Sequence, residues 1–80
     1  MEDIMVRLQR AFDVSFEDGA SSVTIDTTPD DIPDWDSLGH VTLASNIEQE
    51  FHVSFDVDEL MEMENVRQIV RILKAKLSGN

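Results

Sequence analysis

No cysteine occurs among the 80 residues, so neither a disulfide framework nor a thiolate metal site can reinforce the fold, and the redox compartment is left open. Nor is there a run of about twenty apolar residues of the kind that crosses a bilayer. The start Met1-Glu2-Asp3 is acidic where a secretory signal would be basic and then hydrophobic. A cytoplasmic protein without membrane insertion is the expectation. Positive charge is scarce as well: six Lys and Arg stand against seventeen Asp and Glu, for a net charge of −11 and an isoelectric point near 4.2. The cations are Arg7, Arg10, Arg67, Arg71, Lys74 and Lys76, so residues 11–66 contain none. Nucleic acid and anionic lipid are excluded as natural partners, because both need cationic side chains facing their phosphates. A chain of this length buries only about 60% of the surface its unfolded form exposes, which rules out large catalytic folds. One domain spanning residues 1–80, read as a monomer, is expected.

What is present is helical periodicity. Ile4, Leu8, Ala11 and Phe12 make one apolar stripe, and predict a helix over about residues 2–16. From Glu17 to Asp36 the pattern dissolves into Gly, Ser, Thr, Asp and the two prolines, Pro29 and Pro33, which predicts a long loop over 17–36 pinned by Val23, Ile25, Ile32 and Trp35. Asp34, Asp36 and Ser37 then offer capping oxygens for a second helix over 37–51, with Leu43, Ile47 and Phe51 facing the core. Asp56 and Glu59 have capping-box spacing for a short helix over 57–63, and Asn65 with Gln68 repeats that signature. Val66, Ile69, Val70, Leu73 and Leu77 mark a last helix over 66–77. The only alternating run, Val53-Ser54-Phe55, is too short to found a sheet. The fold class is all-α: a small four-helix bundle with three longer helices, a short third helix and a long first loop.

The chemistry concentrates in Asp34-Trp35-Asp36-Ser37-Leu38-Gly39-His40-Val41, where a serine opens a helix at the end of a polar loop. A phosphate on that hydroxyl would face unpaired backbone N–H groups and the positive end of the helix dipole. The competing reading is that Ser37 is only the N-cap. Asp36, Ser37 and His40 contain the three chemical types of a hydrolytic triad, but a nucleophile elbow needs a strand and a large sheet around it, which this length forbids. No catalytic residue is assigned. An EF-hand counted from Asp34 fails at its twelfth position, Ser45, and neither His40 nor His52 has metal-like spacing. No metal is expected.

The stretch Asp36-Ser37-Leu38 resembles the attachment motif of acyl carrier proteins, and the likeness extends to Ile32-Pro33-Asp34-Trp35 before it and to Gly39-His40-Val41 and Ile47-Glu48-Gln49-Glu50-Phe51 after it. Length, helix order, the long first loop and acidity agree. The resemblance implies a stand-alone carrier that is not itself an enzyme, with 4′-phosphopantetheine from coenzyme A attached to Ser37 by a separate magnesium-dependent transferase. Acyl intermediates would then be held as thioesters for fatty acid, polyketide or related specialised biosynthesis. It further implies that Asp36, Leu38, Val41 and Glu48 meet the phosphopantetheinyl transferase and other partners, namely acyl-activating, condensing or acyl-transfer enzymes with basic docking patches. Phe55, Leu60, Met63, Ile69 and Val70 are the candidates for lining an acyl pocket. Two other readings stay open from the residues: a peptidyl or aminoacyl carrier, which shares the serine, and an acidic helical adaptor that binds a basic partner without any prosthetic group.

Overall fold

Apolar side chains at helical spacing determine most of the architecture. The computed structural model describes residues 4–16 and 23–78. Within them the chain forms α1 (Ile4–Ser15), α2 (Ser37–Phe51), α3 (Val57–Glu62) and α4 (Val66–Ser78), with one 3-10 turn at Pro29–Asp31 and no strand among the described residues. Met1 and the first residues of the expected helix lie outside the described residues, as does the loop segment 17–22. α2 has the expected bounds. α1 ends one residue early, although Phe16 still donates its N–H to the Phe12 carbonyl at 3.0 Å and is buried. α3 stops at Glu62 because Met63 leaves helical geometry, at φ −80° and ψ 64°, to become its cap.

The core is built from one stripe of each long helix. Leu8 and Phe12 of α1, Leu43 and Ile47 of α2, and Val66, Ile69 and Leu73 of α4 are fully buried, together with Met63 from the connection. Burying a side chain of this class contributes about 1.5–3 kcal/mol, so the stripes supply most of the stabilisation. One expectation for α4 is corrected. Leu77 is 42% exposed, since the bundle ends before the last turn; Ile72, which the stripe did not include, is buried.

The first loop is less irregular than its sequence implies. Beside the 3-10 turn, it is tied to α1 by the Val23 N–H donating to Gln9 Oε1 at 2.7 Å and to α4 by the Val66 N–H donating to the Thr27 carbonyl at 3.1 Å. An Arg67–Asp26 ion pair at 2.8 Å adds to the second tie. Val23, Ile32 and Trp35 are buried as expected, with the Trp35 indole edge-on to Phe12 at 5.3 Å. Ile25 is not a pin: it is 37% exposed, on the turn at residues 25–26.

α3 is the weakest element. It buries no residue, and a six-residue helix is marginal by itself in water. Caps and side chains hold it. Glu59 donates its N–H to the Asp56 carboxylate at 2.8 Å, while the Asp56 N–H is accepted by Glu59 at 3.0 Å, completing the expected capping box. Lys76 of α4 reaches the same Glu59 carboxylate at 2.8 Å. The second expected box is half made. Gln68 donates its N–H to Asn65 at 2.9 Å, but its own side-chain oxygen is buried and accepts nothing.

Candidate functional site

The N-terminus of α2 is organised by Asp36 rather than by Ser37. Asp36 has extended backbone, at φ −99° and ψ −166°, its carboxylate accepts the Gly39 N–H at 2.8 Å, and its carbonyl accepts the His40 N–H at 2.7 Å. Ser37 is therefore the first helical residue, with its side chain exposed. The reading of Ser37 as a cap is overturned, and its hydroxyl is not spent on its own helix. The N–H groups of Ser37 and Leu38 are among those that no intrahelical carbonyl can reach, so an anion on this hydroxyl would meet donors and the positive end of a 15-residue helix. Gly39 permits the geometry. A Cβ there would lie deep inside the van der Waals radius of the Asp34 carbonyl oxygen and 3.1 Å from the Phe16 ring.

One turn into α2, His40 joins three elements. Its Nδ1 accepts the Trp35 indole N–H at 2.9 Å, and its Nε2 lies 2.9 Å from the Leu60 carbonyl of α3. An indole nitrogen only donates and a carbonyl only accepts, so both contacts are satisfied together by the tautomer that carries its proton on Nε2. The two rings are also nearly parallel, 17° apart with centroids at 6.2 Å. Trp35 is only 5% exposed, and without His40 its N–H would be a buried donor lacking this acceptor.

These residues wall a cleft of about 510 Å³ that opens beside Ser37. Its lining brings Trp35, Asp36, Ser37 and His40 together with Leu60, Met61 and Met63, and with Pro29 and Glu64. Of the expected pocket residues, Leu60 and Met63 line this cleft, while Phe55, Ile69 and Val70 do not. Ile69 and Val70 are packed into the core, and Phe55 lies under the Lys76 ammonium at 5.6 Å. The sequence reading missed the joint role of Trp35 and His40, because their spacing of five crosses from loop to helix, where no periodicity applies.

Outside the cleft, α2 presents bare apolar surface at the same end. Leu38 is 78% exposed and Val41 55%, so core packing is excluded for both, and Val57 and Met61 of α3 are similarly exposed. Glu48 differs from the expectation. It is half-buried, and its carboxylate accepts the Phe55 N–H at 2.8 Å while its carbonyl accepts the Val53 N–H at 3.1 Å, so it fastens the turn between α2 and α3. The turn itself needs His52 in the left-handed region, at φ 56°. Acidic groups surround the surface, with Asp34, Asp36, Asp58 and Glu64 exposed. The carboxyl of Glu59 is held below its ordinary value chiefly by the Lys76 hydrogen bond and then by the Asp56 backbone N–H. Among the described residues no cluster of three or more His, Cys, Asp or Glu could hold a metal ion, and no helix is long and apolar enough to cross a membrane.

An exposed helix-opening hydroxyl, capped by its neighbour and bordered by a cleft, suits a covalently attached phosphate arm. The sequence of residues 34–73, half of the chain, matches the family described as the phosphopantetheine attachment site. The chain belongs to this family. Its fold is similar to that of a holo acyl carrier protein from Geobacter metallireducens solved by solution NMR, with a TM-score of 0.82 and 29% sequence identity over 94% of this chain and 86% of that one. No curated protein sequence matches it. The protein is a carrier with covalently attached 4′-phosphopantetheine, not itself an enzyme, and it works with a phosphopantetheinyl transferase and with acyl-processing enzymes. The adaptor reading without a prosthetic group falls.

Proposed function

We propose that the protein is an acyl carrier whose prosthetic group is attached to the Ser37 hydroxyl. The observation that carries this reading is the division of labour at the start of α2: Asp36 caps the helix, so the Ser37 hydroxyl is exposed and available at the dipole's positive end. When bound, 4′-phosphopantetheine supplies a thiol on a flexible arm, where acyl cargo is held as a thioester. Ser37 anchors the phosphate, and the neighbouring N–H groups stabilise its negative charge. Asp36 has a second role available, because only one of its carboxylate oxygens is used in the cap, and the other can face a transferase-bound metal. Leu38 and Val41, with Met61 on α3, form the apolar centre of the docking surface. The surrounding carboxylates steer basic partner patches toward it. Phe55, Ile69 and Val70 act in the bundle rather than against cargo.

Incubation with coenzyme A, magnesium and a carrier-protein transferase tests the site. The parent should gain one phosphopantetheine mass and Ser37→Ala none. Modification of Ser37→Ala, or of no parent molecule by any of several transferases, would remove Ser37 from the role.

A further inference from the structure

We propose that His40 sets the size of the cargo that the protein shelters: a short acyl group of a few carbons seats in the cleft, and a long alkyl chain is barred from the core. The inference rests on Ser37 as the attachment point and concerns what lies beyond it. A chain entering the cleft from Ser37 meets Trp35, His40, Leu60 and Met61 in its lining. To continue inward it must pass between α2 and α3, and there the His40 ring spans the gap with both nitrogens engaged, one by Trp35 and one by the Leu60 carbonyl. Swinging the ring aside breaks both bonds and leaves the buried indole N–H unpaired, a penalty that an alkyl chain, with no polar atom to offer, cannot offset by hydrogen bonding. Ile69, which belongs to the core and not to the cleft lining, is already fully buried. Trp35 and His40 therefore act as positioning residues that close the inner end of the cleft.

The test loads the full chain, as parent, His40→Ala and His40→Gln, from butyryl- and octanoyl-coenzyme A with a transferase, and checks loading by intact mass. Two readouts follow: NMR of the single indole N–H and of the Met63, Ile69 and Val70 methyls, and the thermal midpoint. In the parent, the butyryl group should shift the Trp35 indole signal, and octanoyl should leave the Ile69 and Val70 methyls where butyryl leaves them, with midpoints within about 2 °C. In His40→Ala, octanoyl should move those methyls and raise the midpoint by about 4 °C or more over the butyryl form. His40→Gln, whose amide offers both an acceptor and donors, should behave as the parent. Octanoyl seated against Ile69 and Val70 in the parent overturns the proposal even if His40→Ala does not fold, and so does a His40→Gln variant that admits the chain. Failure of every variant to load would instead overturn the assignment of Ser37, and this inference with it.

Discussion

The two halves of α2 carry similar apolar residues and use them in opposite ways. From Leu43 onward, Leu43, Ile47 and Phe51 are buried in the core, where α1 packs along the helix, whereas nearer the N-terminus Leu38 and Val41 are open to solvent beside Ser37. The helix is therefore a scaffold at one end and a presenting surface at the other. Nothing in the residue types distinguishes the ends. The difference is tertiary: α1 packs along α2, and the core cluster closes over Leu43, Ile47 and Phe51 but not over Leu38 and Val41. Leu38 and Val41 lie exposed one turn apart near the unspent Ser37 hydroxyl, the place that the proposed docking surface assigns to another molecule.

That contrast can be broken most severely at Phe51, which is buried and has the Arg7 guanidinium over its ring at 4.4 Å. Phe51→Ala should cost about 3–5 kcal/mol in chemical denaturation, a large share of a small domain's stability. A loss below about 1 kcal/mol would mean that the scaffold half is misassigned. Gly39→Ala comes next. Its methyl group would collide with the Asp34 backbone, which must move, and a loss of about 1–3 kcal/mol is expected together with slower loading of Ser37, because the cap geometry shifts. Val41→Ser should change stability by no more than about 0.5 kcal/mol, as exposed positions do, yet raise the KM of the transferase reaction. A fall in stability comparable to that of Phe51→Ala would erase the distinction between the halves. The smallest effect belongs to α3. Because Lys76 holds the Glu59 carboxyl below the ordinary value of 4.5, the pair stabilises the fold fully above that pH and loses its effect as pH falls through the lowered value. Denaturation of Glu59→Gln against the parent should show a difference at neutral pH that disappears in acid. An acid-independent difference would assign the loss to packing.

Much of this was legible in the sequence, for reasons that differ by element. The bounds of α2 and the capping box of α3 follow from local rules, apolar spacing and side-chain oxygens at fixed offsets, and both are found in the fold. Which oxygen caps α2 was not legible, since Asp34, Asp36 and Ser37 are all competent; the extended backbone at Asp36 decides it. The exposure of Leu77 and Ile25 depends on where the bundle stops, a tertiary fact with no local signal. The same holds for Glu48, whose carboxylate reads as surface charge until the turn brings the Phe55 N–H to it. Trp35 and His40 were visible singly, as a loop pin and as a member of a rejected hydrolytic triad. Their pairing across the loop boundary, with Leu60 20 positions beyond His40, appears only in three dimensions.

The central claim is that the Ser37 hydroxyl, freed by the Asp36 cap, bears the prosthetic group. Peptide mapping by mass spectrometry of the protein isolated from its own host tests it most directly. A phosphopantetheine mass, free or acylated, is expected on the peptide containing Ser37 and on no other. The same mass on a peptide bearing another hydroxyl, such as Ser45 or Ser54, would contradict it.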